Sequence, residues 1–171
     1  VDLSPHTLLA LLAGALTLEF AVGQILAQLN QGYPPPKLPE HLGHLYTPEK
    51  YARALEYKRE RHRLSVFGGW AGYLAVMGLL LSGGFAGIDA WIRGFEPNTP
   101  WHSLLFLGML YLGSDLLSLP IQLYATFVVE ARYGFNTTTP GTFLLDKLKT
   151  YALALLVGGP LVYGLLTIIL H

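Results

Sequence analysis

Four apolar runs, at about residues 8–29, 64–92, 101–129 and 148–170, take up most of this 171-residue chain. Each is long enough to cross the hydrocarbon core of a bilayer, which takes about 20 helical residues. Lipid offers the backbone no hydrogen bonds, so runs of this kind must close their own bonds as helices. A soluble core of this size has no use for four of them. The fold expected is therefore all-α: a polytopic bundle of four transmembrane helices forming one membrane domain over residues 1–171.

Between the first two runs lies a polar segment, residues 30–63. Pro34, Pro35, Pro36 and Pro39 favour an extended chain there. Thr47-Pro48-Glu49 then reads as a helix start, a side-chain cap with Pro in the first position. The charged sequence from Lys50 to Arg63, with Tyr51, Leu55 and His62 among the charges, is expected to form a surface helix running straight into the second span. In that span Gly68 with Gly72, Gly78 with Ser82, and Gly83 with Gly87 form small-xxx-small pairs suited to close helix packing. Gly83-Gly84 is a point at which the helix can loosen. Pro120 removes a backbone donor from the third span, and Gly158-Gly159-Pro160 predicts a bend in the fourth.

Lysine and arginine set the orientation. Of the eleven, only Arg93 lies between the second and third spans, and none precedes the first. The other ten fall in residues 30–63 or 131–149. The positive-inside rule places residues 30–63 and 130–147 in the cytoplasm and both chain ends on the other side. This orientation also sets aside Asn136-Thr137-Thr138 as a glycosylation acceptor. Zero net charge argues against nucleic acid as a partner. The first partner implied is the lipid bilayer itself.

The polar residues inside the spans carry what functional information there is. Glu19 and Asp115 are acids in apolar runs, where a charge costs about 2.5–3.5 kcal/mol on insertion scales. Tyr111, Asp115, Ser118, Gln122, Thr126 and Glu130 follow one another at helical spacing and draw a polar stripe. Such a stripe fits the wall of a water-filled chamber; for the two acids alone, an interhelical hydrogen bond is the competing reading. His41 and His44 stand three apart in a Pro- and Gly-rich setting, without the convergent ligands a zinc site needs. There is no His-Glu-x-x-His helix, no Gly-rich phosphate loop and no Gly-x-Ser-x-Gly elbow in the sequence.

The stretch from Ser118 to Lys149, SLPIQLYATFVVEARYGFNTTTPGTFLLDKLK, resembles a segment of the CaaX prenyl protease 1 family of zinc metalloproteases. Members carry Leu-Pro, then Tyr-x-x-Phe, Glu, Gly-Phe-Asn, Thr and Phe-x-x-Asp-x-x-Lys. Here these fall on Leu119-Pro120, Tyr124, Phe127, Glu130, Gly134-Phe135-Asn136, Thr139, Phe143, Asp146 and Lys149. The earlier TPEKYARALEYKRERHRLSVF is similar to the family's Tyr- and Lys-rich helix before its second span, and the orientation read from charge agrees with the family's.

The family's His-Glu-x-x-His helix and its further Glu ligand lie downstream of the matched region. The resemblance therefore implies an amino-terminal membrane module, non-catalytic by itself. It would serve as anchor, chamber wall and docking surface for a zinc-bearing catalytic half outside this chain. Val1 and His171 then read as cut ends, and no metal or other cofactor is expected within the chain. Glu130, Gly134, Phe135, Asn136, Thr139, Phe143, Asp146 and Lys149 are the implied docking residues. Tyr111, Asp115, Ser118, Gln122 and Thr126 are the implied chamber lining. Two other readings stand beside this one: a free-standing structural subunit of a membrane complex, and a small transporter or proton path using Glu19 and Asp115.

Overall fold

The computed structural model describes residues 4–31, 47–94 and 99–170. The proline-rich stretch, with His41 and His44, lies outside them. Helix α1 spans Pro5–Gln31. It starts where Ser4 Oγ accepts a hydrogen bond from Thr7 N at 3.2 Å, with Pro5 in the position whose N–H has no helical partner. Helix α2, Pro48–Leu81, starts in the same way, with Thr47 accepting from Lys50 N. Its 34 residues make a rod of about 51 Å, longer than the roughly 30 Å hydrocarbon core. The charged first half can thus stand clear of lipid while the apolar second half crosses it.

The span expected over 64–92 is not one helix. α2 ends at Leu81, and Gly83 takes the left-handed conformation at φ 73°. That angle strains residues carrying a Cβ, which is why the break falls on a glycine. A short helix, α3, Gly84–Arg93, follows with Ile92 buried. Next comes α4, Thr99–Tyr124, which carries Pro120 in its interior and continues as a π-helical turn over Ala125–Glu130 and a last turn, α5, Ala131–Tyr133. The fourth apolar stretch comprises α6, Pro140–Leu153, a second π-helical turn over Ala154–Gly158, and α7, Gly159–Leu170. Pro160 has no N–H for the carbonyl four residues earlier. A switch to wider hydrogen bonding just before it, with Gly159 N donating to Ala154 O, lets the rod continue.

Among the described residues, four helical stretches are long and apolar enough to cross a membrane: Pro5–Asn30, Pro48–Leu81, Pro100–Tyr133 and Pro140–Ile169. α3 is not among them. Large apolar side chains such as Leu18, Phe67, Leu155 and Ile168 stand exposed along these rods, as bilayer contact requires.

The chain forms two compact units, Val1–Ser82 with Ser118–Asn136, and Gly83–Leu117 with Thr137–His171. In the first, α1 packs on α2 through Phe20, which stacks on Tyr73 with ring centroids 4.3 Å apart and meets Trp70 edge-on at 4.7 Å. Thr17 Oγ1 lies 3.0 Å from the Tyr73 hydroxyl. The close approach falls on Gly68 and Gly69 rather than on the expected pairing of Gly68 with Gly72. A Cβ at Gly69 would stand 3.0 Å from Gln24 Nε2, and one at Gly68 would stand 3.3 Å from Ile121 Cδ1. Gly72, Gly78 and Gly87 have open space where a Cβ would go. Adjacent glycines face different directions on a helix, so α2 receives one neighbour on each. In the second unit, Trp101 of α4 packs on Tyr163 of α7 with centroids 4.7 Å apart.

Candidate docking surface and intramembrane polar clusters

In the first unit, the charged half of α2 is tied to the end of the third span. Arg61 Nη1 lies 3.3 Å from Glu130 Oε1, and Arg132 Nη1 lies 2.6 Å from Glu60 Oε1. Arg53 Nη2 donates to the Arg132 carbonyl at 3.2 Å. Tyr57 sits between Tyr133 and Phe135, with centroids at 5.4 and 4.9 Å. Arg53, Tyr57, Glu60 and Arg61 fall on one face of α2 by spacing. That stripe was present in the sequence but had no visible partner, because the residues it grips lie some 70 positions away: 69 for Arg61–Glu130 and 72 for Glu60–Arg132.

This latch orders the turn that follows. Gly134 closes α5 at φ 77°, a left-handed cap suited to glycine. Phe135 N and Asn136 N both donate to the Glu130 carbonyl, at 2.9 and 3.2 Å. Glu130 thus anchors the turn twice, by its carboxylate through Arg61 and by its backbone carbonyl. Of the expected chamber-lining residues in this unit, Gln122 Nε2 donates to Ser118 Oγ at 2.6 Å, and both residues are half-buried, as is Thr126. On a plain α-helix Glu130 would stand about 120° round from Ser118; the extra residue taken up by the π-helical turn returns it to about 20°. Glu19 is exposed and lines a shallow groove of about 190 Å³ between α1 and α2 with Leu16, Phe20, Gly72 and Tyr73.

The second unit holds the rest of the expected docking residues. Thr139 caps α6, accepting from Thr142 N at 3.2 Å, and Pro140 follows in the first helical position. Phe143 is half-buried; Asp146 and Lys149 are exposed and pair at 3.5 Å. Of the motif residues, Glu130, Gly134, Phe135 and Asn136 fall in the first unit and Thr139, Phe143, Asp146 and Lys149 in the second.

Asp115 is engaged rather than open. Lys147 Nζ lies 2.5 Å from its Oδ1, and the Tyr151 hydroxyl donates to its Oδ2. The side chains of Asp115 and Lys147 are only 16% and 17% exposed. A lone charge at that depth is costly, so the ion pair and the phenol hydrogen bond are what make the site tolerable. Tyr111, one turn earlier on α4, meets the Tyr151 ring edge-on at 6.5 Å. The interhelical bond that is one reading of Asp115 is present, to Lys147 and Tyr151 of α6; Glu19 and Asp115 belong to separate units.

A further cluster escaped the sequence. Asp89 of α3 receives Arg93 Nε at 2.8 Å and Nη2 at 3.3 Å, and His102 Nε2 lies 2.6 Å from its Oδ1. The Arg93 hydrogen bonds, then that of His102, hold the Asp89 carboxyl below its ordinary range. The Asp89/Arg93 spacing of four was the available signal. Among the described residues no three His, Asp or Glu side chains stand close enough to hold a metal ion.

The apolar rods and their polar ties define an integral, multi-pass helical membrane domain. Residues 28–171 match the family model described as CAAX prenyl protease N-terminal, five membrane helices. The chain belongs to this family. Four of its long apolar helices stand among the described residues. A CAAX prenyl protease 1 homolog of Caenorhabditis elegans is 30% identical over 135 residues, covering 79% of this chain and 30% of that protein. The Arabidopsis thaliana homolog is 29% identical over 145 residues, 78% of this chain and 33% of that one. The crystal structure of S. mikatae Ste24p superposes with a TM-score of 0.76 at 26% identity, covering 88% of this chain and 36% of that one. The chain thus spans about a third of the length of these relatives.

Proposed function

We propose that this membrane domain serves a zinc-dependent CaaX-type peptidase as its anchor, as part of a hydrated chamber wall, and as the surface on which the catalytic half docks. The catalytic zinc and its His-Glu-x-x-His helix belong to that other half. Ser118, Gln122 and Thr126 contribute the chamber's polar lining in the first unit. Glu130, Gly134, Phe135 and Asn136 form one docking element, and Thr139, Phe143, Asp146 and Lys149 another. Residues 30–63 and 130–147 face the cytoplasm.

The observation that carries this reading is the latched turn: the family's Glu and Gly-Phe-Asn residues sit on a rigid support at the end of a membrane span, and Phe135 remains 59% exposed. An exposed aromatic on a held turn is suited to bury itself in a partner. The test is to express the tagged chain together with the remaining portion of a family relative and purify in mild detergent. Stoichiometric co-purification, with zinc-dependent cleavage of a prenylated CaaX peptide only when both parts are present, is expected. Phe135→Ala should weaken the association by tenfold or so, about the cost of losing one interface anchor. No association, or association indifferent to Phe135, would sink the docking reading. Stoichiometric capture of an unrelated membrane protein would favour an accessory subunit instead.

A further inference from the structure

On α6, Phe143, Lys147 and Tyr151 stand four apart and keep to one face, each step turning by about 40°. Asp146 and Lys149 lie about 100° and 160° away from Lys147 around the same helix. Exposure follows that division, with Phe143, Lys147 and Tyr151 half-buried and Asp146 and Lys149 exposed. Asp115 of α4 holds the inner face at two points, since its oxygens take Lys147 and Tyr151 separately. One contact between two rods fixes their depth. Two contacts a turn apart, made by both oxygens of a single carboxylate, also fix rotation.

The second π-helical turn keeps the next contact in register. Trp101 and Asp115 are 14 residues apart on α4, about 40° from alignment, so they share a face. Their partners, Tyr163 and Tyr151, are 12 residues apart, which on a plain α-helix would put them about 120° apart. The π-helical turn at Ala154–Gly158 takes up one residue between them and reduces this to about 20°. The same face of α4 thereby grips α6 through Asp115 and α7 through Trp101.

We propose that Asp115, Lys147 and Tyr151 are positioning residues that lock the rotation of α6 within its unit, so that the Asp146 and Lys149 edge points outward. The purpose assigned to that edge rests on the docking reading above; the lock itself does not.

The chain contains no cysteine, so single thiols can be placed at will. Asp146→Cys and Phe143→Cys are introduced separately into the full chain in liposomes, and their rates of reaction with a water-soluble maleimide are compared. The outward thiol is expected to react faster by about tenfold, as an exposed position does over a half-buried one. Asp115→Leu with Lys147→Leu removes the charges together and leaves none unpaired. Tyr151→Phe removes one grip while keeping the ring against Tyr111. Loss of the rate difference in the double variant, a smaller loss in Tyr151→Phe, and unchanged helical circular dichroism in both support the lock. A rate difference that survives in both variants overturns it. A lost difference with undiminished association with the catalytic half supports the lock and overturns the docking reading.

Discussion

Arg132 closes on Glu60 across the first unit, Nη1 to Oε1 at 2.6 Å, while the other oxygen of Glu60 is buried without a hydrogen bond. The neighbouring pair, Arg61 and Glu130, is longer at 3.3 Å and its arginine is about half exposed. The two pairs join the same helices but differ in what is left behind when one partner is lost.

Removing Arg132 leaves Glu60 with a carboxylate partly withdrawn from water and no cation on it. Arg132→Ala is therefore expected to destabilise the domain by about 1–2 kcal/mol, the low end of the range for an orphaned charged group because Glu60 keeps some exposure. Arg61→Ala should cost no more than about 1 kcal/mol, as a solvent-screened pair does. Thermal unfolding in detergent checks both. Adding Glu60→Gln to Arg132→Ala should recover part of the loss, and equal effects of the two arginines would refute the asymmetry.

Gly134 caps α5 at a positive φ of 77°, with no side chain near the space a Cβ would fill. Strain rather than crowding is the obstacle, so Gly134→Ala should cost about 1–2 kcal/mol and Gly134→Asn less. The readout is local: trypsin should cut after Arg132 faster in the alanine variant as the turn loosens. Gly72→Ala, in open space inside a helix, serves as the control and should leave cleavage unchanged.

The parts of this protein that were legible in its sequence are those set by local rules. Apolar length announced the membrane rods, and Thr47-Pro48 announced the start of α2. The break in the second stretch was half visible, since Gly83-Gly84 offered a loosening point, but only the backbone angle of Gly83 shows that the helix stops there. The latch was hidden because Glu60 and Arg132 are local neighbours of other charges and meet only through tertiary packing. The polar stripe left the partners of Asp115 unnamed. Spacing put it in line with Ser118 and Gln122, yet the cation and phenol that occupy it come from α6, and a stripe read on one helix carries no information about the opposite surface. The π-helical turns were also out of reach, because Pro160 predicts a disturbance without predicting that it will be absorbed as one extra residue.

The orientation read from Lys and Arg makes a separate, direct prediction. Lys58→Cys, exposed on the charged half of α2, and Gly94→Cys, exposed just after α3, should face opposite sides of the membrane. A membrane-impermeant maleimide applied to intact cells is expected to label position 94 and to reach position 58 only after permeabilisation. Labelling of both, or of 58 alone, in intact cells would overturn the arrangement with residues 30–63 inside.

Asp89 supplies a pH dependence whose direction follows from its partners. Arg93 and His102 hydrogen-bond the charged carboxylate, so its folded pKa lies below the ordinary value of 3.8. Between those two values the unfolded chain binds a proton that the folded chain does not, and stability rises with pH across that interval. The contribution is complete above the ordinary carboxylate value and is lost as the pH falls through the folded one. Melting temperatures measured in detergent from about pH 6 down to about pH 3 should therefore separate the native chain from Asp89→Asn most at the upper end, with the two converging on acidification. Arg93→Ala should shrink the difference, because the largest source of the shift is gone. A difference between native and Asp89→Asn that stays constant over the whole range would show that the carboxylate's charge contributes nothing to holding α3 against the start of α4.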